Sequence, residues 1–172
     1  MREPSVEIPT QEIDRSIYVM PAFATFAVRD LDASTRWYTD GLGFIVLATM
    51  PGPGGAALRA QGPPPLGLVH LRRWRYQDIL LVPGRVGPGG PRITFAAGDD
   101  DLAAIAARLR AIGAGTVEGP TATPWHTRDL VATDADGHVV VLTAFDRARP
   151  DDPAFSESVR RGYDAARKAE RG

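Results

Sequence analysis

With 172 residues, 44% of them hydrophobic, the chain can fold around an ordinary core, and its formal net charge of −1 supplies no basic field to draw nucleic acid or an anionic membrane. It has no cysteine, which excludes disulfides, thiolate metal sites and a cysteine nucleophile and suits a reducing, cytoplasmic setting. The N-terminal stretch MREPSVEIPTQEIDR is charged and lacks the apolar segment of a secretory signal, and no run of about 18 apolar residues is available to span a membrane.

Residues 1–20 are polar and read as a draped arm. From Pro21, PAFATFAVRD alternates as a strand. Asp30 or Asp32 can cap a helix that begins near Ala33, carries Trp37 and Tyr38 in its middle and stops at Gly41–Gly43. FIVLATM follows as a strand. PGPGGAALRAQGPPP must be mostly loop, with room for a short strand at Ala56–Arg59. LGLVHLRRW and QDILLVP read as two strands joined by a turn near Arg75–Tyr76. The Gly/Pro stretch 84–91 reads as a linker.

After the linker the opening pattern returns. PRITFAAGD repeats the first strand: Thr25-Phe26-Ala27 matches Thr94-Phe95-Ala96 and Asp30 matches Asp99, at a spacing of 69. One inserted residue later, Leu42-Gly43 matches Ile112-Gly113. DDDLAAIAARLRAIGAG predicts an amphipathic helix with Leu102, Ile105, Ala106, Leu109 and Ile112 on its apolar stripe. TVEGP, HTRDLVATD and HVVVLTAF read as strands, the last two joined by a DADG turn. The order β-α-β-β-β thus occurs twice, and an internal repeat of this length defines the organisation of the chain. The expected class is α+β: two tandem βαβββ modules at 21–83 and 92–146, and a C-terminal helical extension at 147–172. Asp152 and Pro153 suit the start of that last helix.

The line AFATFAVRDLDASTRWYTDGLGF resembles the opening strand and helix of vicinal oxygen chelate modules, the glyoxalase / bleomycin resistance / dioxygenase family. PWHTRDLVATDADGHVVVLTAF resembles their closing hairpin. The resemblance spans about residues 20–146, in both halves and in the right order. It implies a concave mixed-sheet cleft with helices on the convex face, a small organic molecule as the ligand, and a homodimer with ligand sites at or near the subunit interface. Strand alternation then assigns the faces. Phe26, Val28, Ile93, Phe95 and Ala97 go to the helices. Phe23, Thr25, Ala27, Arg92, Thr94 and Ala96 go to the cleft. In the last strand Val140 and Leu142 point one way, and Val139, Val141 and Thr143 the other.

Metal-dependent relatives take their four ligands from positions that the resemblance carries onto Phe23, Arg92, Val141, and Leu80, or Asp78 if the alignment slips by two. Phe, Leu and Val offer no lone pair, and a guanidinium is a cation without an acceptor. No metal cofactor is expected. Of three histidines, His138 follows the Asp-Gly turn and reads as solvated, and His70 reads as a structural or surface group in its strand. His126, beside Trp125, can hydrogen-bond a ligand or transfer a proton. Asp134-Ala-Asp136-Gly137 begins like a calcium loop, but no later Glu completes it, so it reads as a β-turn. The Gly-rich stretches match no phosphate loop, and no Ser stands in a nucleophile elbow.

Trp74 and Trp125, at strand ends of the two modules, are candidates to stack a planar ligand, with rim or interface packing as the alternative. Trp37 and Tyr38 read as core. Arg72, Arg73 and Arg75 either attract an anion or solvate a hairpin. Arg92 either pairs with a ligand carboxylate, phosphate or enolate or reaches to water. The reading that follows is a metal-free binder of a planar or amphiphilic molecule, with antibiotic sequestration its most concrete form. The ligand-binding set is Phe23, Thr25, Trp74, Asp78, Leu80, Arg92, Thr94, Trp125, His126, Val139 and Val141. The rivals are a lyase, isomerase or dioxygenase that uses His126 or Asp78 with Arg92, or an unrecognised metal site, and a module for protein–protein contact through the C-terminal helix.

Overall fold

The computed structural model describes residues 22–52, 66–74, 77–87, 89–98 and 100–146, with three helical positions at 153, 157 and 161. The expected arm, the Ala56–Arg59 strand, the Arg75–Tyr76 turn, Asp99 and nearly all of the C-terminal extension lie outside them. In chain order the elements are β1 (Phe23–Val28), α1 (Leu31–Arg36), which runs on as a π-turn (Trp37–Gly41), β2 (Ile45–Pro51), β3 (Leu66–Arg72) and β4 (Asp78–Pro83). The second half follows with β5 (Arg92–Gly98), α2 (Leu102–Ile112), β6 (Thr116–Ala122), β7 (Thr127–Thr133) and β8 (Val139–Phe145). They build two four-stranded sheets, ordered β1-β4-β3-β2 and β5-β8-β7-β6. In each, the first strand pairs parallel with the last and the other ladders are antiparallel. The tandem βαβββ reading of the sequence is the architecture observed.

Local chemistry explains where the helices begin. The Asp30 carboxylate accepts the Ala33 N–H at 2.9 Å, and the Asp101 carboxylate accepts the N–H groups of Ala103 and Ala104 at 3.0 Å each. Each satisfies donors that the first helical turn leaves open. The capping equivalent of Asp30 is therefore Asp101, two residues beyond the match made from spacing alone. The first helix departs from expectation in its last turn, which widens into the π form where Trp37 and Tyr38, both buried, face the interior. Ile112 departs as well: it is 41% exposed, while Leu102, Ile105, Ala106 and Leu109 are buried as predicted.

One apolar cluster spans both halves, with Phe26, Val28, Leu71, Ile79 and Leu81 from the first and Ala97, Leu109, Leu130, Val140 and Leu142 from the second. The halves meet on their helix-bearing sides. Gly41 of the π-turn lies so close to the Leu109 side chain of α2 that a Cβ there would collide with it, and Phe44 meets Phe95 edge-on at 5.9 Å.

The DADG turn completes the junction and corrects the reading of His138. That residue is 1% exposed, and its ring lies stacked on Phe26 with centroids 4.6 Å apart. Asp134 holds it: Oδ1 accepts the backbone N–H groups of Asp136 and His138 at 2.9 Å, and Oδ2 lies 2.8 Å from His138 Nδ1 and 3.0 Å from the Tyr38 hydroxyl that donates to it. Burial, and then the neighbouring Asp134 charge, push the Tyr38 phenol far above its ordinary value. Arg29 of the first half pairs with Asp136 beside this turn. A histidine that follows Asp-Gly looks solvated in sequence because nothing local shows that another module's phenylalanine will cover it.

Candidate functional site

Each sheet turns one face to the helices, and the observed registers lay out the opposite face row by row. On the first sheet Phe23 stands beside Asp78, which stands beside Arg72; one row along, Thr25 stands beside Leu80, which stands beside His70. On the second, Arg92 neighbours Val139 and then Thr133, while Thr94 neighbours Val141 and then Val131. Eight of the eleven predicted site residues thus gather in two groups: Phe23, Thr25, Asp78 and Leu80 on one sheet, Arg92, Thr94, Val139 and Val141 on the other. Phe23 is 50% exposed, and Thr25, Arg92 and Thr94 are exposed. Leu80 and Val139 are half-buried. Val141 is buried yet stands apart from the helix-side core.

The other three predicted residues lie elsewhere. Trp74, just beyond β3, rests against Gly98 at the end of β5 and takes the Arg73 guanidinium over its ring at 4.9 Å. It belongs to the junction of the modules, beside a hollow of about 320 Å³ that Leu42, Arg73, Asp100 and Arg108 also line. Arg73 is buried there, pairs with Asp100 and donates to the Leu42 carbonyl at 3.0 Å. Burial, with Arg108 close by, pushes its guanidinium down to about 10. Trp125 is 69% exposed on the turn before β7, where its N–H donates to Thr123 Oγ1. His126 is half-buried at φ +57°, and its carbonyl accepts the Asp146 N–H at 2.9 Å.

The face of the first sheet opposite the helices holds one grouping that sequence reasoning did not assemble. Asp78, fully buried, receives the Arg72 Nε–H on Oδ1 at 2.7 Å and lies 2.7 Å from His70 Nε2 through the same atom. Arg72 is also fully buried, and His70 is 8% exposed. The signal was present: in HLR and the following QD, strand alternation puts His70, Arg72 and Asp78 on one face once the hairpin register is known. That register depends on a turn the sequence does not specify.

A divalent metal fits this donor set poorly. Of the positions where the family's metal-dependent members carry ligands, Phe23, Leu80 and Val141 have no donor and Arg92 is cationic. Asp78 is already committed to Arg72 and His70. Among the described residues no group of three or more His, Asp or Glu side chains is placed to hold a metal ion. Among them, too, no helix is long and apolar enough to cross a membrane.

The family model described as the Glyoxalase/Bleomycin resistance protein/Dioxygenase superfamily matches residues 21–142. Among solved structures, a glyoxalase/bleomycin resistance protein from Streptomyces sp. CB03234 is 27% identical, with 70% of this chain and 96% of that one covered at a TM-score of 0.51. TnmS3, an antibiotic binding protein from the same organism, is 26% identical, with 76% and 97% covered at 0.54. The fosfomycin resistance protein FosX from Mesorhizobium loti is 18% identical, with 77% and 97% covered at 0.53, a likeness of fold. No curated protein sequence gave a significant match. The repeat, the two sheets and the family match over most of the chain lead to one statement: the chain belongs to the glyoxalase / bleomycin resistance protein / dioxygenase superfamily.

Proposed function

We propose that this protein binds a planar or amphiphilic small organic molecule on the sheet faces opposite its helices, without a divalent metal, and that it works as a homodimer in the cytoplasm. The observation that carries this reading is the chemistry of those faces. Phe23, Leu80, Val139 and Val141 offer apolar surface, and Thr25, Thr94 and Arg92 stand beside them as polar anchors. Apolar walls with a few polar groups suit recognition by shape and planarity. Arg92, exposed at the start of β5, suits an anionic or electron-rich edge of the ligand.

Three hollows among the described residues are lined by other side chains, and in this reading the second wall over the sheet faces comes from outside the chain. A second copy would supply it, and the half-exposed Phe23 gives that contact apolar area. The likeness to an antibiotic binding protein makes antibiotic sequestration the concrete form of the proposal.

The test is a thermal-shift screen of EDTA-treated protein against bleomycin, daunorubicin and a set of anthraquinones. A ligand that binds only the native state raises the melting temperature, by mass action. Stabilisation by at least one compound, lost in Phe23→Asp and in Arg92→Glu, is the expected result. Silence across the panel, or stabilisation only after Zn(II) or Mn(II) is added back, would contradict the reading.

A further inference from the structure

We infer that His70 is the specificity-determining acceptor on the ligand-binding face of the first sheet, selecting ligands that carry a hydroxyl or similar hydrogen-bond donor on the edge of an otherwise apolar ring system. The inference rests on the binding reading above and names the chemistry that this face selects. His70 belongs to this face, because its neighbours in β3, Val69 and Leu71, go to the core. Its flanks on that face are Ala48 of β2 and Leu80 of β4, with Thr25 beyond Leu80.

The orientation of the ring follows from its partner. Nε2 lies 2.7 Å from Asp78 Oδ1. An ionised carboxylate only accepts, so Nε2 carries the proton and donates it. With the ring proton on Nε2, the lone pair is on Nδ1. Among the described residues His70 has no second hydrogen-bond partner, and its side chain retains 10% exposure. Asp78 is itself held by the Arg72 Nε–H at 2.7 Å and is fully buried, so the imidazole is braced from behind by a fixed ion pair. An acceptor held in a fixed orientation should reject analogues that lack the matching donor, because filling the site with such an analogue leaves Nδ1 desolvated and unpaired. The exposed Thr25 hydroxyl stands one strand beyond Leu80, in line with a ligand that spans the row.

The experiment uses two non-ionising ligands of nearly equal shape, 2-(hydroxymethyl)anthraquinone and 2-ethylanthraquinone, titrated into the full-length protein by fluorescence quenching. The expected result is that wild type binds the hydroxyl compound at least about tenfold more tightly. His70→Phe should bring the two affinities together. Equal binding of the pair by wild type overturns the inference whether or not His70→Phe folds. A preference that survives in His70→Phe overturns it as well. If neither anthraquinone binds, this ligand class is wrong and the inference falls, while the binding reading is judged separately by the wider antibiotic panel.

Discussion

At Asp134 one carboxylate accepts two backbone N–H groups and the Tyr38 hydroxyl and holds the His138 ring, and so ties the turn of the second module to the helix of the first. All three side chains are at most 6% exposed. Removal of such a hub strands several buried polar groups at once. Asp134→Ala is expected to cost about 3–5 kcal/mol, measured by urea denaturation. Tyr38 makes the same junction sensitive to alkali. Its folded-state pKa is raised above the ordinary tyrosine value of 10.0, so its contribution is intact below that pH and is lost progressively as pH rises past it. Between pH 10 and 11.5 wild type should lose up to about 1.4 kcal/mol per pH unit more than Tyr38→Phe, with melts at several pH values as the measure. Strand alternation in the sequence placed Phe23, Thr25, Arg92 and Thr94 on the faces opposite the helices. His70, Arg72 and Asp78 were each weighed singly in the sequence, but their grouping was not legible there, because only the β3–β4 register joins them.

Among the elements, the π-turn Trp37–Gly41 does the most to set how the halves meet. The wider turn buries Trp37 and Tyr38 and brings Gly41 against Leu109 of α2. Leu109 is 1% exposed in the shared core, so its side chain must shift to admit a Cβ at position 41. Gly41→Ala, although a gain in helix propensity, is therefore expected to destabilise the protein by roughly 1–3 kcal/mol through overpacking, and Gly41→Ala combined with Leu109→Ala should recover part of that loss. The helices and strands were legible because capping aspartates, glycine stops and period-two alternation are local signals. Boundaries were less so: β3 ends at Arg72, before the Trp74 expected within it, because Arg73 and Trp74 turn away to pack at the module junction. The same departure takes Trp74 out of the ligand rows.

For the molecule as a whole, the two halves share one core on the helix side. The repeat foretold the two sheets. It could not foretell which sides would pack together, since that depends on contacts such as Phe26 with His138 that link residues more than a hundred positions apart. If a second copy supplies the second wall, size-exclusion chromatography with light scattering should give twice the chain mass, and Phe23→Asp should shift it toward the monomer. The most direct measurement is native mass spectrometry of the protein incubated with bleomycin, daunorubicin and the anthraquinones, recorded with and without EDTA. The account predicts a ligand-bound species whose mass contains no transition metal and whose abundance EDTA leaves unchanged. A stoichiometric transition metal on the protein, or ligand retention that EDTA abolishes, would contradict it.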